Sequence, residues 1–218
     1  EERRNLKKIA MWEYVLYLHD QNDYTRAIPL AKRYLKYAEL DGDKSDIADA
    51  MNVLGLLYKD TNQLKLAEQE YLRAKEIWEQ LAAENPAIYL SDLAMICNNL
   101  GELYCQSNHV NKAEQEHRRA KKIYEQLSEK NLSAYLPALA GSYNNLGNLY
   151  CQTDRIELGE PELCYAKEIY EQLAAEHPEV YLLDLAMSCN NLGNLYRITK
   201  RTDLAKKVYQ QAKEMVWT

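Results

Sequence analysis

The chain repeats itself. Asn-Val-Leu-Gly-Leu-Leu-Tyr at 52–58 returns as Asn-Asn-Leu-Gly-Glu-Leu-Tyr at 98–104, and as Asn-Asn-Leu-Gly-Asn-Leu-Tyr at 144–150 and 190–196. The glycines of these blocks, Gly55, Gly101, Gly147 and Gly193, stand 46 residues apart. A second block keeps the same phase: Glu-Gln-Leu-Ala-Ala-Glu-Asn-Pro from Glu79 recurs as Glu-Gln-Leu-Ala-Ala-Glu-His-Pro from Glu171, two steps later. A unit this short cannot bury its apolar face alone. Copies must stack and share one continuous core, so the fold has to be an array.

Each unit reads as two helices. Ala94, Cys97, Leu100, Gly101 and Tyr104 follow the three- and four-residue spacing of one helical face, and Ala113, His117, Ala120, Ile123, Tyr124 and Leu127 do the same after a polar turn at 106–111. A turn that short joins antiparallel neighbours. Glycine inside a helix costs about 1 kcal/mol against Ala. Its return at one position implies close approach of the facing helix, where Ala67, Ala113 and Ala205, and Ala74, Ala120, Ala166 and Ala212, supply small partners.

These columns resemble the tetratricopeptide repeat family. Leu-Gly is followed by Tyr three residues on, by Ala twelve residues after the Gly, and by a second Ala seven further on. The Gly147 repeat departs once, with Gly159 for the first Ala. A weaker copy opens the chain, with Trp12, Val15, Leu18, Ala27 and Tyr34 in the corresponding columns and Val15 in the glycine column, 40 residues before Gly55. The resemblance implies an all-α, right-handed superhelical solenoid of about five antiparallel helix pairs, with repeats near 3–42, 43–88, 89–134, 135–180 and 181–218 in a single domain spanning 1–218. The long period is similar to that of kinesin-light-chain-like and bacterial members. The twelve residues beyond the family's usual 34 are assigned to a longer second helix and to a linker such as 85–90. Pro86 and Pro178 mark that break, since Pro disfavours helix in the residue before it. Pro137 is expected in the first turn of the next helix. Tyr89, Tyr135 and Tyr181 are expected to plug the seam between hairpins.

Composition narrows the function. Formal net charge is −6, with no basic face of the kind phosphate binding requires, so nucleic acid is excluded as the main ligand. No apolar run reaches the roughly 18–20 residues of a membrane span, so membrane insertion is not expected. Five cysteines, an odd number with no Cys-x-x-Cys, point to a reducing, cytoplasmic setting. Cys97 and Cys189 lie on an apolar face as small buried hydrophobes. His19, His109, His117 and His177 are scattered, and no phosphate loop, nucleophile elbow or zinc ligand set occurs, so catalysis, metal and cofactor are not expected. His117 falls in a packing column. Glu68, Glu70, Arg118, Arg119, Lys121 and Lys122 read as a solvated outer face, and Arg3, Arg4, Lys7 and Lys8 as a short basic start.

The informative polar column is asparagine. Asn52, Asn98, Asn144 and Asn190 share one helical position. Glu102, Asn148 and Asn194 lie four residues on in their helices, and Lys59 and Arg197 one turn further. In the resembled family the first helix of each repeat lines the concave groove, which implies that this face carries ligand contacts. An amide both donates and accepts, so a ladder of amides can pair with an extended peptide's backbone. The competing reading is that the asparagines hold repeats together, and Asn99, Asn145 and Asn191, about 100° round the helix, are read first as inter-helix hydrogen bonders. Lys59 and Arg197 are the only cations on the face, too few and too far apart for a clamp on a ligand carboxylate.

The expectation is therefore a non-catalytic scaffold for a protein or extended peptide. The alternatives are a self-association module or a regulatory segment of a larger protein. The chain does not begin with Met and its last helix stops just after Trp217, as expected of a piece of a longer protein. Pro29 and Pro161, two residues beyond Ala27 and Gly159, predict second helices that start late or bend. The last helix carries Leu204, Val208, Tyr209, Met215, Val216 and Trp217, which predicts an exposed apolar patch at the C-terminal end, open to self-association.

Overall fold

The computed structural model describes residues 2–217, and side chains over 8–214. Ten α-helices and no strand occur among the described residues. They are α1 (Glu2–Asp20), α2 (Tyr24–Asp41), α3 (Lys44–Asp60), α4 (Leu64–Glu84), α5 (Pro86–Gln106), α6 (Val110–Lys130), α7 (Leu132–Gln152), α8 (Ile156–Glu176), α9 (Pro178–Ile198) and α10 (Thr202–Trp217). The chain divides into two compact units, one ending at Ser107 and the other beginning at Asn108. In the first, each of α1 to α5 packs on its chain neighbours, and α3 also touches α5. In the second, α6 to α10 do the same, and α7 touches α9.

The 46-residue step is made differently from the expected long linker. From α4 to α9 every helix is 21 residues long. Single residues, Asn85, Asn131 and His177, join one repeat to the next. Pro86 and Pro178 are not in a linker but open α5 and α9 at the first helical position, where a missing N–H is harmless. The reading of 85–90 as a linker is corrected accordingly. Pro137 lies inside α7, beyond its first turn. The late start expected for the helices of Pro29 and Pro161 is also not found. These helices begin five residues earlier, at Tyr24 and Ile156. Both prolines are exposed, and the carbonyls their rings approach, four residues back, belong to the helix's opening turn.

Within a pair the turn is built by one recurring device. The hydroxyl of Thr61 donates to the Leu57 carbonyl at 2.8 Å, and Ser107, Thr153 and Thr199 bond Leu103, Leu149 and Leu195 in the same way. The next residue takes left-handed backbone: Asn62 (φ 58°), Asn108 (59°), Asp154 (58°) and Lys200 (61°), matched by Asn22 (56°) in the first pair. The amide after it closes on a tyrosine carbonyl, Gln63 on Tyr58, Arg155 on Tyr150 and Arg201 on Tyr196, at 2.7–2.8 Å. Asn and Asp adopt this conformation more readily than Lys, which takes it at a cost. Lys200→Asn is therefore expected to stabilise the chain by about 0.5–1 kcal/mol, read as a higher urea midpoint at unchanged slope. An unchanged or lower midpoint contradicts the strain at this turn.

The glycine columns are packing sites. An ideal Cβ at Gly55 would fall 2.4 Å from the ring of Tyr71, one at Gly147 2.7 Å from Leu163, and one at Gly193 2.6 Å from Tyr209. Each partner belongs to the second helix of the same pair, and Gly101 is buried. Gly159 has a reason too: its added Cβ would lie 3.0 Å from the Gly147 carbonyl oxygen, so two glycines face each other where other pairs oppose Gly with Ala. His117 is buried, as are Cys97 and Cys189, and none of the five cysteines is joined in a disulfide. Tyr89 lies 5.8 Å from the buried Trp78 ring, and Tyr181 packs on a core cluster containing Leu185 and Cys189.

The C-terminal patch is smaller than expected in α10. Leu204 is exposed, but Val208 is buried in a cluster with Leu163, Leu192 and Leu195, and Tyr209 packs against it. The side chains of Met215, Val216 and Trp217, like those of Arg3, Arg4 and Lys7, lie outside the described residues.

Candidate functional site

The asparagine columns sit on the first helices of the pairs, and the structure separates them into two environments. In the first unit the Asn99 amide of α5 donates to Asn52 Oδ1 of α3 at 2.8 Å. In the second, Asn144 of α7 is buried, and its Nδ2 donates to Ser188 Oγ of α9 at 2.7 Å. Both bonds join the first helix of one repeat to the first helix of the next. Asn98 is half-buried and makes contacts of its own. Asn190, on α9, is exposed.

One turn further along, the first unit closes its face with charge. The Lys59 ammonium of α3 is paired with the Glu102 carboxylate of α5. Lys59 is thus already paired within its own unit. Arg197 on α9 is exposed.

The second unit leaves the corresponding place open. Asn148 of α7 and Asn194 and Asn191 of α9 line a shallow pocket of about 330 Å³ together with Cys151, Gln152 and Ile198. Asn194 Oδ1 accepts from the Tyr209 hydroxyl at 2.8 Å, which fixes its amide orientation. Burial and the Glu160 carboxylate push the Cys151 thiol above its ordinary value, so this wall is neutral rather than nucleophilic. The pocket therefore offers amide donors and acceptors beside a small apolar wall, and no reacting group. Among the described residues no group of His, Cys, Asp and Glu is placed to hold a metal ion.

The sequence brought Asn148 and Asn194 into one column, and the structure brings them into one pocket. Asn191, Gln152 and Ile198 were missed as lining residues. So was an ionic clasp. Arg155 donates to Glu114 at 2.5 Å while lying over the Tyr150 ring, its guanidinium carbon 4.7 Å from the centroid. Arg201 grips Glu160 through two bonds of 2.8 and 2.9 Å over Tyr196, at 4.6 Å. All three members recur at the 46-residue step, a signal present in the sequence. Lys121 similarly pairs with Glu162 at 2.7 Å. The second-helix charges read as a solvated face thus include bonds between repeats.

The pattern that defines the tetratricopeptide repeat matches residues 47–86 and 93–131, and a second form of it matches 186–215, together half of the chain. No curated protein matches the sequence. Among solved structures, BtubC (BKLC) from P. vanneervenii superposes with a TM-score of 0.77 at 23% identity, over 94% of this chain and 78% of that one. A Podosopora anserina kinesin light chain with nearly identical TPR-like repeats gives 0.59 at 15%, over 96% and 94%. The Rap conjugation gene regulator of the plasmid pLS20, solved in complex with the Phr* peptide, gives 0.67 at 16%, over 92% and 51%. These likenesses establish the fold as an all-α repeat of helix pairs.

Proposed function

Since the chain belongs to the tetratricopeptide repeat family, we propose that it is a non-catalytic protein-binding scaffold which holds an extended peptide segment on the face of its first helices. The observation that carries this reading is the pocket between α7 and α9, where amides from two successive repeats, Asn148 and Asn194, converge without being consumed by the repeat interface. In the first unit Asn52, with Asn99, sets the spacing of α3 and α5, and in the second Asn144, with Ser188, sets that of α7 and α9. Asn98, Lys59 and Glu102 belong to the face of the first unit, and Asn190 and Arg197 to that of the second. Peptide binding by the Rap relative supports the assignment by analogy of fold. No described helix is long and apolar enough to cross a membrane; we assign the protein to the cytoplasm, in keeping with five cysteines of which none forms a disulfide.

Amide pairs to a peptide backbone contribute about 0.5–1.5 kcal/mol each. Peptides selected from a random display library should therefore bind Asn148→Ala or Asn194→Ala up to roughly tenfold more weakly than the parent chain, with losses that multiply in the double variant. Thermal melts should shift little, because neither side chain is buried and the Tyr209 hydroxyl that Asn194→Ala releases can bond water instead. Isothermal titration decides: unchanged affinity in the double variant places the peptide elsewhere on the molecule.

A further inference from the structure

A cavity of about 550 Å³ lies inside the first unit, walled by α1, α2 and α3 of two successive repeats. One wall is aromatic. The half-buried Trp12 ring packs on Tyr34, their centroids 5.0 Å apart and their planes at 44°. The rest is acidic, with Asp43, Asp46 and Asp49 of α3 and Glu13 of α1 against a single cation, Lys8. That cation is already taken. Its ammonium is paired with Asp46, and with Asp41 at 3.4 Å. Asp43 is occupied as the cap of α3, where it accepts from the amides of Ser45 and Asp46 and from the Ser45 hydroxyl.

Two groups are left over. Among the described residues no hydrogen bond or ion pair reaches the Asp49 carboxylate. None reaches the hydroxyl of Tyr34 either, a residue only 6% exposed that lines the cavity. Burial, and after it the charges of Asp92, Asp46 and Asp43, push the Asp49 carboxyl up to about 6. The charge is peculiar to this repeat. The column of Asp49 holds Ile9, Met95, Gly141 and Met187 elsewhere, and that of Asp43 holds Tyr89, Tyr135 and Tyr181. Partly buried carboxylates beside an aromatic wall favour a positive ligand. No group of His, Cys, Asp and Glu among the described residues is placed to hold a metal ion, and the volume suits a whole side chain. Ile9, which lines the cavity and is 60% exposed, offers apolar surface to whatever carries the charge.

We propose that this cavity receives an arginine or lysine side chain of a partner peptide, its cationic head donating to Asp49 and to the Tyr34 oxygen and its stem lying along Trp12 and Ile9. A guanidinium gains most, because it lies flat on an aromatic ring while its N–H groups reach a carboxylate. The cavity belongs to the first unit, and the proposal does not depend on the reading of the pocket between α7 and α9.

The probes are capped peptides Gly-Gly-X-Gly-Gly, with X arginine, lysine, citrulline or norleucine, in about 0.15 M salt to screen surface charge. Binding to the full chain is followed by NMR through the Trp12 indole N–H, assigned with Trp12→Phe. The arginine and lysine peptides should shift that signal saturably, and the two neutral ones should not. Asp49→Asn should weaken arginine binding about tenfold or more. It should also raise the thermal midpoint of the free chain at pH 7, because a carboxyl raised by folding costs stability once it is ionised. Going from pH 7 to pH 5 should weaken binding about tenfold, since a proton on Asp49 then competes with the cation. The other groups facing Asp49 are Lys8, Glu13, Tyr34, Asp43, Asp46 and Asp92. Lys8 keeps its charge over this range, and the Ser45 hydroxyl holds Asp43 below its ordinary value. The Asn148→Ala, Asn194→Ala double variant should bind the arginine peptide unchanged, which separates the two sites. Equal shifts with norleucine, no saturable shift at millimolar peptide, or undiminished binding in Asp49→Asn overturn the proposal. A lower midpoint in Asp49→Asn does so too, because Asp49 would then serve the fold. n-Butylguanidinium binding as tightly as the arginine peptide would overturn the assignment to a peptide in favour of a free amine.

Discussion

Gly147→Ala should destabilise the chain by about 1–3 kcal/mol, the usual cost of overpacking, while Gly141→Ala, in the same helix, should stabilise it by roughly 0.5–1 kcal/mol. Helix propensity favours Ala equally at both sites, so packing alone decides the sign. At Gly147 the new methyl would sit 2.7 and 2.8 Å from two carbons of Leu163, with the Gly159 carbonyl oxygen 3.2 Å away. Leu163 is fully buried, and the nearest of those carbons is its Cγ rather than the far end of the side chain, so the neighbour cannot give way cheaply. At Gly141 the new methyl would meet, among the described residues, the Tyr170 hydroxyl at 3.7 Å, an ordinary contact. Paired urea melts measure both. Equal effects of the two substitutions would mean that the recurring glycine is a relic of duplication and not a contact.

Asn144→Ala should cost about 1–3 kcal/mol, because it strands the Ser188 hydroxyl in a buried site. Asn144 and Ser188 are both buried and bond each other at 2.7 Å. Ser188 can fall back on a carbonyl of its own helix, as Ser142 does with Ala138 at 3.1 Å in the preceding repeat, which places the expected loss in the lower half of that range. A double-mutant cycle with Ser188→Ala should return a coupling of about 1 kcal/mol. Asn190→Ala, at the same column position but exposed, should leave stability within about 0.5 kcal/mol of the parent, as surface changes usually do. A cycle with no coupling would show that the Asn144 amide contributes nothing to joining α7 and α9.

The contrast between Asn144 and Asn190 shows where reading the sequence stops. Four asparagines in one column carry no mark of which face is occupied. Asn52 and Asn144 are taken up by the next first helix, while Asn148 and Asn194, one turn on, open into a pocket. Ser188 is the partner of Asn144, yet Ala50 and Ile96 stand at its equivalents in the first unit, where Asn99 donates instead. No repeating pattern announces that exchange. Proline misled for a related reason. Pro86 and Pro178 stop helix in the residue before them and also start helix well, and the one-residue joints at Asn85 and His177 use both properties at once.

The helix pairs, their number and the close approach at Gly55, Gly147 and Gly193 were determined by the sequence itself. Apolar spacing and small residues act locally and return in every copy, so the same physical cause is visible several times over. Which polar groups face each other was decided only by the tertiary structure. A hydrogen bond or ion pair is won or lost over less than an ångström, and it depends on how far one repeat has turned relative to the next. Glu160 finds Arg201, Lys59 finds Glu102 and Asn99 finds Asn52 because stacking sets those distances, and no residue's identity carries the angle between two helices.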